Sequence, residues 1–132
     1  IAEHMSDAGY RGPFGIDYGI TTDGEILALE NNARVNGSLI AFGIYDRVNE
    51  SNPGNDSFRN EFFRFREPIE FSKFLTSARD YLHDGTDKDS SLFPYDITTM
   101  GEDGSFRAVF MGKDKNSRDD LYRKFTSEFG EY

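Results

Sequence analysis

GYRGPFGIDYGITTDGEILALENNARVNGS, residues 9–38, decides how this chain is read. Asp23-Gly24 sits between two alternating apolar runs, and that dipeptide is a strong signal for a two-residue hairpin turn, because type I′ geometry needs positive φ at both central positions. With the turn there, Tyr18 faces Leu29, Ile20 faces Leu27, Gly19 faces Ala28, Asp17 faces Glu30 and Gly15 faces Asn32. Ile16, Tyr18, Ile20, Leu27 and Leu29 then share one half-buried face. The second face carries the chemistry. Directly opposed side chains stand about 4.5–5.5 Å apart, so like charges there destabilise the ladder. Asp17 and Glu30 are therefore either both solvated or bridged by a cation. A hard divalent ion takes oxygen ligands, and Asn32 supplies a third oxygen on the same face. Gly15, Gly19 and Ala28 are small and predict a shallow trough beside these groups.

The sequence predicts a polar loop after Glu30 and an N-cap at Ser38, followed by a largely buried helix from Leu39 to about Arg47. The N-terminus of such a helix offers free backbone N–H groups to an anion. Arg34 lies between the candidate cation site and that helix. Its planar fork suits a phosphate or carboxylate oxygen pair, or an ordinary surface ion pair.

Upstream, Ile1 to Ala8 reads as the end of a helix stopped by Gly9. Downstream, Asn49 to Asp56 is a loop or internal linker, and it separates an expected 1–50 segment from an extension over 51–132. Phe58 to Arg66 alternates aromatic and basic residues as a strand does. Arg64 and Arg66 are expected to be solvated or paired with the chain's own carboxylates, rather than to bind a nucleotide. Glu70 to Leu82 reads as an amphipathic helix with Phe71, Phe74, Leu75, Ala78, Tyr81 and Leu82 on one stripe. Asp84 to Ser91 is a polar loop. Leu92 to Met111 reads as a second hairpin turning at Asp103-Gly104, pairing Thr99 with Ala108 and Ile97 with Phe110 and placing Asp96 opposite Met111. Ser117 is the expected cap of a last helix to about Phe129, with Leu121, Phe125 and Phe129 buried. The expected class is α+β, antiparallel hairpins with packed helices.

Composition narrows the functions. A formal net charge of -9 argues against binding a phosphate backbone or an anionic membrane surface. Thirteen Phe and seven Tyr supply core area within 132 residues, enough for one domain. Zero cysteines exclude disulfides and thiolate zinc sites. No stretch has transmembrane length or a signal-peptide pattern, so the expected location is cytoplasmic. His4 and His83 carry no catalytic pattern.

Taken together, GYRGPFGID, the hairpin and ENNARVNGS resemble the C-terminal part of an ATP-grasp ligase domain. In that family an Asp on one strand and a Glu-x-Asn on the next hold the magnesium of Mg-ATP. The resemblance implies that Asp17, Glu30 and Asn32 bind Mg2+ or Mn2+. It also implies that Arg34 contacts the reacting phosphate or the substrate carboxylate, and that Asn36, Gly37 and Ser38 line the acyl-phosphate pocket. The close resemblance covers about thirty residues. FPYDIT (93–98) is similar, more loosely, to peptide ligases of the pheganomycin-ligase type. Relatives of the D-alanine ligase type carry an Arg two residues before the metal Asp, where this chain has Gly15, which points to another branch.

The implied activity is ATP-dependent joining of a small carboxylate or peptide to an amine through an acyl phosphate. The nucleotide-gripping half of such a site is expected before Ile1, so the chain is expected to be inactive alone, and to dimerise through the surface that half would cover. A non-catalytic regulatory module derived from the same family and a structural α+β domain with an acidic face are the competing readings.

Overall fold

A computed structural model describes residues 1–86 and 88–130. Helix α1 (Ala2–Asp7) ends as the sequence predicts, with Gly9 at φ +87°. Strands β1 (Gly15–Ile20) and β2 (Ile26–Asn32) then form a two-stranded antiparallel hairpin. Helix α2 (Gly37–Ser51) follows, then β3 (Ser57–Arg64), α3 (Phe71–Ser77), β4 (Ser90–Tyr95), α4 (Met100–Asp103), β5 (Ser105–Gly112) and α5 (Lys115–Phe129). The class is α+β with antiparallel sheets. The chain forms two compact units, Ile1–Ile40 and Ala41–Tyr132, and the boundary lies within α2.

The hairpin turn differs from the expected two-residue type. Thr21 N–H donates to the Glu25 carbonyl at 2.9 Å and Gly24 N–H donates to the Thr21 carbonyl at 3.0 Å. The loop is therefore Thr22-Asp23-Gly24, a β-turn followed by a left-handed glycine at φ +88°. Type I′ geometry would also force Asp23 to positive φ, at a cost of about 1–2 kcal/mol. Here the Asp23 carboxylate instead accepts the Thr21 hydroxyl, which holds its pKa below the usual value.

The extra loop residue shifts the ladder by one. Ile20 pairs with Ile26, Gly19 with Leu27 and Tyr18 with Ala28, not with the partners predicted. A bulge at Leu29 then shifts it back, so that Asp17 meets Glu30 and Gly15 meets Asn32. Leu29 turns onto the Gly19 side, 3.5 Å from where a Cβ on Gly19 would stand. The apolar residues are thus divided between faces instead of forming one half-buried stripe. Tyr18, Ile20, Ile26 and Leu29 are each more than 60 % exposed.

The second unit is built differently. Its sheet has the order β3-β5-β4, so the central strand comes last in sequence. One face packs Phe63, Phe106, Ala108 and Phe110 with Phe74 of α3 and with Leu121 and Phe125 of α5. On the other face Val109 and Met111 pack with Ala41 and Val48 of α2, where Tyr45 stacks on Phe58 with ring centroids 4.6 Å apart. Strand β5 is consequently buried on both sides, apart from the half-buried Arg107.

Several expected boundaries move, each for a local reason. Helix α2 begins at Gly37 because the Asn36 Oδ1, not Ser38, caps it, accepting from Leu39 N–H at 3.0 Å. Only Ala41 and Val48 are fully buried along it. Helix α3 stops at Ser77, five residues short of the expected end at Leu82, although the apolar stripe runs on. Tyr81 and His83 give their backbone groups to Leu92, the carbonyl of Tyr81 accepting and the N–H of His83 donating, both at 2.8 Å. Asp103-Gly104 is no hairpin turn. Gly104, at φ +78°, caps the one-turn helix α4 by donating its N–H to the Met100 carbonyl. The β4–β5 register is accordingly Leu92 with Phe110 and Ser91 with Met111. Asp96 lies beyond the ladder at φ +51° and pairs with Arg107 at 3.6 Å. Helix α5 is capped by Asp114, with Ser117 as the reciprocal partner in a capping box. Of the predicted loop over 84–91, Ser90 and Ser91 belong to β4, and Asp87 lies outside the described residues.

Candidate metal centre

The first unit gathers the polar residues of the hairpin at its open end. Asp17 of β1 stands opposite Glu30 of β2, and Gly15 opposite Asn32. Asn32 Nδ2 donates to Asp17 Oδ2 at 3.5 Å. Arg34 Nη2 donates to Asn32 Oδ1 at 3.1 Å, while its backbone N–H donates to the Asn32 carbonyl at 2.8 Å. The run Asp17–Asn32–Arg34 is therefore continuous. Asp17, Glu30 and Arg34 are exposed and Asn32 is half-buried.

The glycines of this face are occupied by the chain's own side chains and do not leave an open trough. A Cβ on Gly15 would stand 2.3 Å from Asn36 Nδ2, so the absence of a side chain at Gly15 lets the Asn36 amide rest there. One amide then does two jobs. Its oxygen caps α2 and its nitrogen lies against β1. Leu29 fills the corresponding space over Gly19.

Two carboxylates and one amide oxygen form an all-oxygen donor set, which suits a hard divalent cation. In the present hydrogen-bond network Asn32 turns its nitrogen toward Asp17 and its oxygen toward Arg34. Ligation through Oδ1 requires the amide to turn over, a change that exchanges two atoms of equal size. Among the described residues no three His, Cys, Asp or Glu side chains converge as a metal-binding group. The set thus depends on the amide as well as on the two acids.

Elsewhere, the second unit neutralises most of its own cations. Arg64 pairs with Asp103 at 2.6 Å, in keeping with the expectation of internal pairing. His83 Nδ1 lies 3.4 Å from Ser91 Oγ, but Ser91 is only 3 % exposed, so this contact fastens β4 and offers no accessible nucleophile. Among the described residues no helix is long and apolar enough to cross a membrane. The chain matches no family model, no curated protein and no solved structure.

Proposed function

We propose that Asp17, Glu30 and Asn32 hold the Mg2+ or Mn2+ of a bound Mg-ATP, and that the hairpin is the metal-binding part of an ATP-grasp carboxylate–amine ligase working in the cytoplasm. The observation that carries this reading is the pairing of Asp17 with Glu30 across the ladder, with Asn32 beside Asp17. Two exposed carboxylates are opposed here at a cost that a cation removes. The bound ion would neutralise charge on the phosphoryl group being transferred.

The chain's own residues supply the rest. Arg34 presents a planar guanidinium that suits the paired oxygens of a phosphate or a carboxylate. It donates to Asn32 Oδ1, and turning that amide over to ligate the ion releases the bond and frees the guanidinium for those oxygens. Asn36 caps a 15-residue helix, and Gly37 and Ser38 form its first turn, where backbone N–H groups favour an acyl-phosphate anion. The substrates of this reading are ATP, a small carboxylate or peptide, and an amine.

Mn2+ binding followed by electron paramagnetic resonance, with Mg2+ as competitor, tests the assignment. Glu30→Ala and Asp17→Asn are each expected to abolish saturable Mn2+ binding. Arg34→Ala should leave the metal bound and weaken the binding of ATP in the presence of Mg2+. Metal affinity unchanged by Glu30→Ala would sink the reading.

A further inference from the structure

We infer that the cleft between the segment after β3, α3 and the last turn of α5 binds a small apolar zwitterion, a free amino acid or dipeptide with an aromatic or branched side chain. The cleft measures about 530 Å³, within the range of small-molecule sites and ample for a dipeptide. It lies wholly within the second unit and does not rest on the reading of the hairpin.

Three features select the ligand. Phe65 and Phe129, whose rings meet edge to face at 6.2 Å, give the cleft an apolar wall. Arg66 and Lys73 also line it, and among the described residues neither has an ion-pair partner. In a chain of net charge -9, two cations on one cleft without an ion-pair partner among the described residues attract a carboxylate. Glu67 and Glu128 line the same cleft. They repel a phosphate dianion and accept an ammonium. Tyr81 donates its hydroxyl to Glu128 Oε2 at 2.5 Å, which fixes that carboxylate and leaves lone pairs for a second donor. Charges of both signs in a cleft that also has an apolar wall match an amino acid's own groups.

Calorimetric titration of the full chain with L-Phe-L-Phe tests the inference, beside the N-acetylated dipeptide, the dipeptide amide and inorganic phosphate. Saturable binding of the free dipeptide is expected, weakened about tenfold by amidation or by the double change Arg66→Gln, Lys73→Gln, as loss of charge-assisted hydrogen bonds predicts. Acetylation should weaken it too. Glu30→Ala should leave it unchanged, which separates this site from the hairpin. No saturable binding, equal binding by the double variant, or a preference for phosphate over the dipeptide would overturn the assignment.

Discussion

The hairpin of the first unit and the sheet of the second are both antiparallel and both rich in apolar residues, yet they hold themselves together differently. Strand β5 lies between two layers of helices, and its Phe106 and Phe110 are at most 1 % exposed. Among the described residues the hairpin has no third strand, and Ile20 and Ile26 are each more than 60 % exposed. Two-stranded ribbons are marginal in water, whereas three strands covered by helices are not. Alternation in the sequence therefore specifies a strand. It does not specify what covers that strand.

The contrast can be broken most sharply in the core. Phe106→Ala should cost about 3–5 kcal/mol in denaturant unfolding, because the aromatic cluster around Phe63, Phe74 and Phe125 cannot collapse into the void. Gly112→Ala should cost about 1–3 kcal/mol, since the added Cβ would stand 2.6 Å from the Arg118 backbone nitrogen at the start of α5. Removing the cap with Asp114→Ala should cost about 1 kcal/mol, read by thermal melting.

A smaller effect is set by pH. Asp103 accepts the Ser105 hydroxyl at 2.5 Å and its N–H at 2.9 Å, and pairs with Arg64, which together hold its pKa down at about 2. The unfolded chain then binds that proton at higher pH than the folded one. Stability from this group is present above pH 3.8 and is lost as pH falls toward 2. Asp103→Asn should flatten that part of the acid unfolding curve. Smallest of all, Ile26→Ala in the hairpin should lie within about 0.5 kcal/mol of the parent. A loss there as large as that of Phe106→Ala would show the ribbon to be covered in solution, and would erase the contrast. Hydrogen exchange sharpens it, with β1 and β2 amides expected to exchange well before those of β5.

What the sequence made legible follows the range of each interaction. Local signals read well: the α+β class, the glycine stop at Gly9, and the buried edge of Leu121 and Phe125 on α5. The facing of Asp17 and Glu30 was also readable, although by way of a turn that does not form. Long-range pairing was not readable. Nothing near Ser57–Arg64 says that its partner is Ser105–Gly112. The dipeptide Asp-Gly marks a left-handed glycine at both Gly24 and Gly104, but the neighbours decide whether that glycine closes a hairpin or ends a helix. In the candidate site, the bond from Arg34 to Asn32 and the double role of Asn36 depend on side-chain directions that spacing does not encode.

The bulge at Leu29 gives the hairpin something like a reading frame. The three-residue loop adds one position and Leu29 takes one out, so the two acids come back into phase. In a chain with these residues, either irregularity alone would carry every residue beyond it to the wrong side of the ribbon, as one inserted letter garbles a message. Deleting Thr22 leaves Thr21 opposite Glu25 across a two-residue Asp-Gly loop, and deleting Leu29 lets Glu30 follow Ala28 directly, so each deletion should keep Asp17 opposite Glu30. The hairpin thus absorbs a lost residue at either place and keeps its acids opposed.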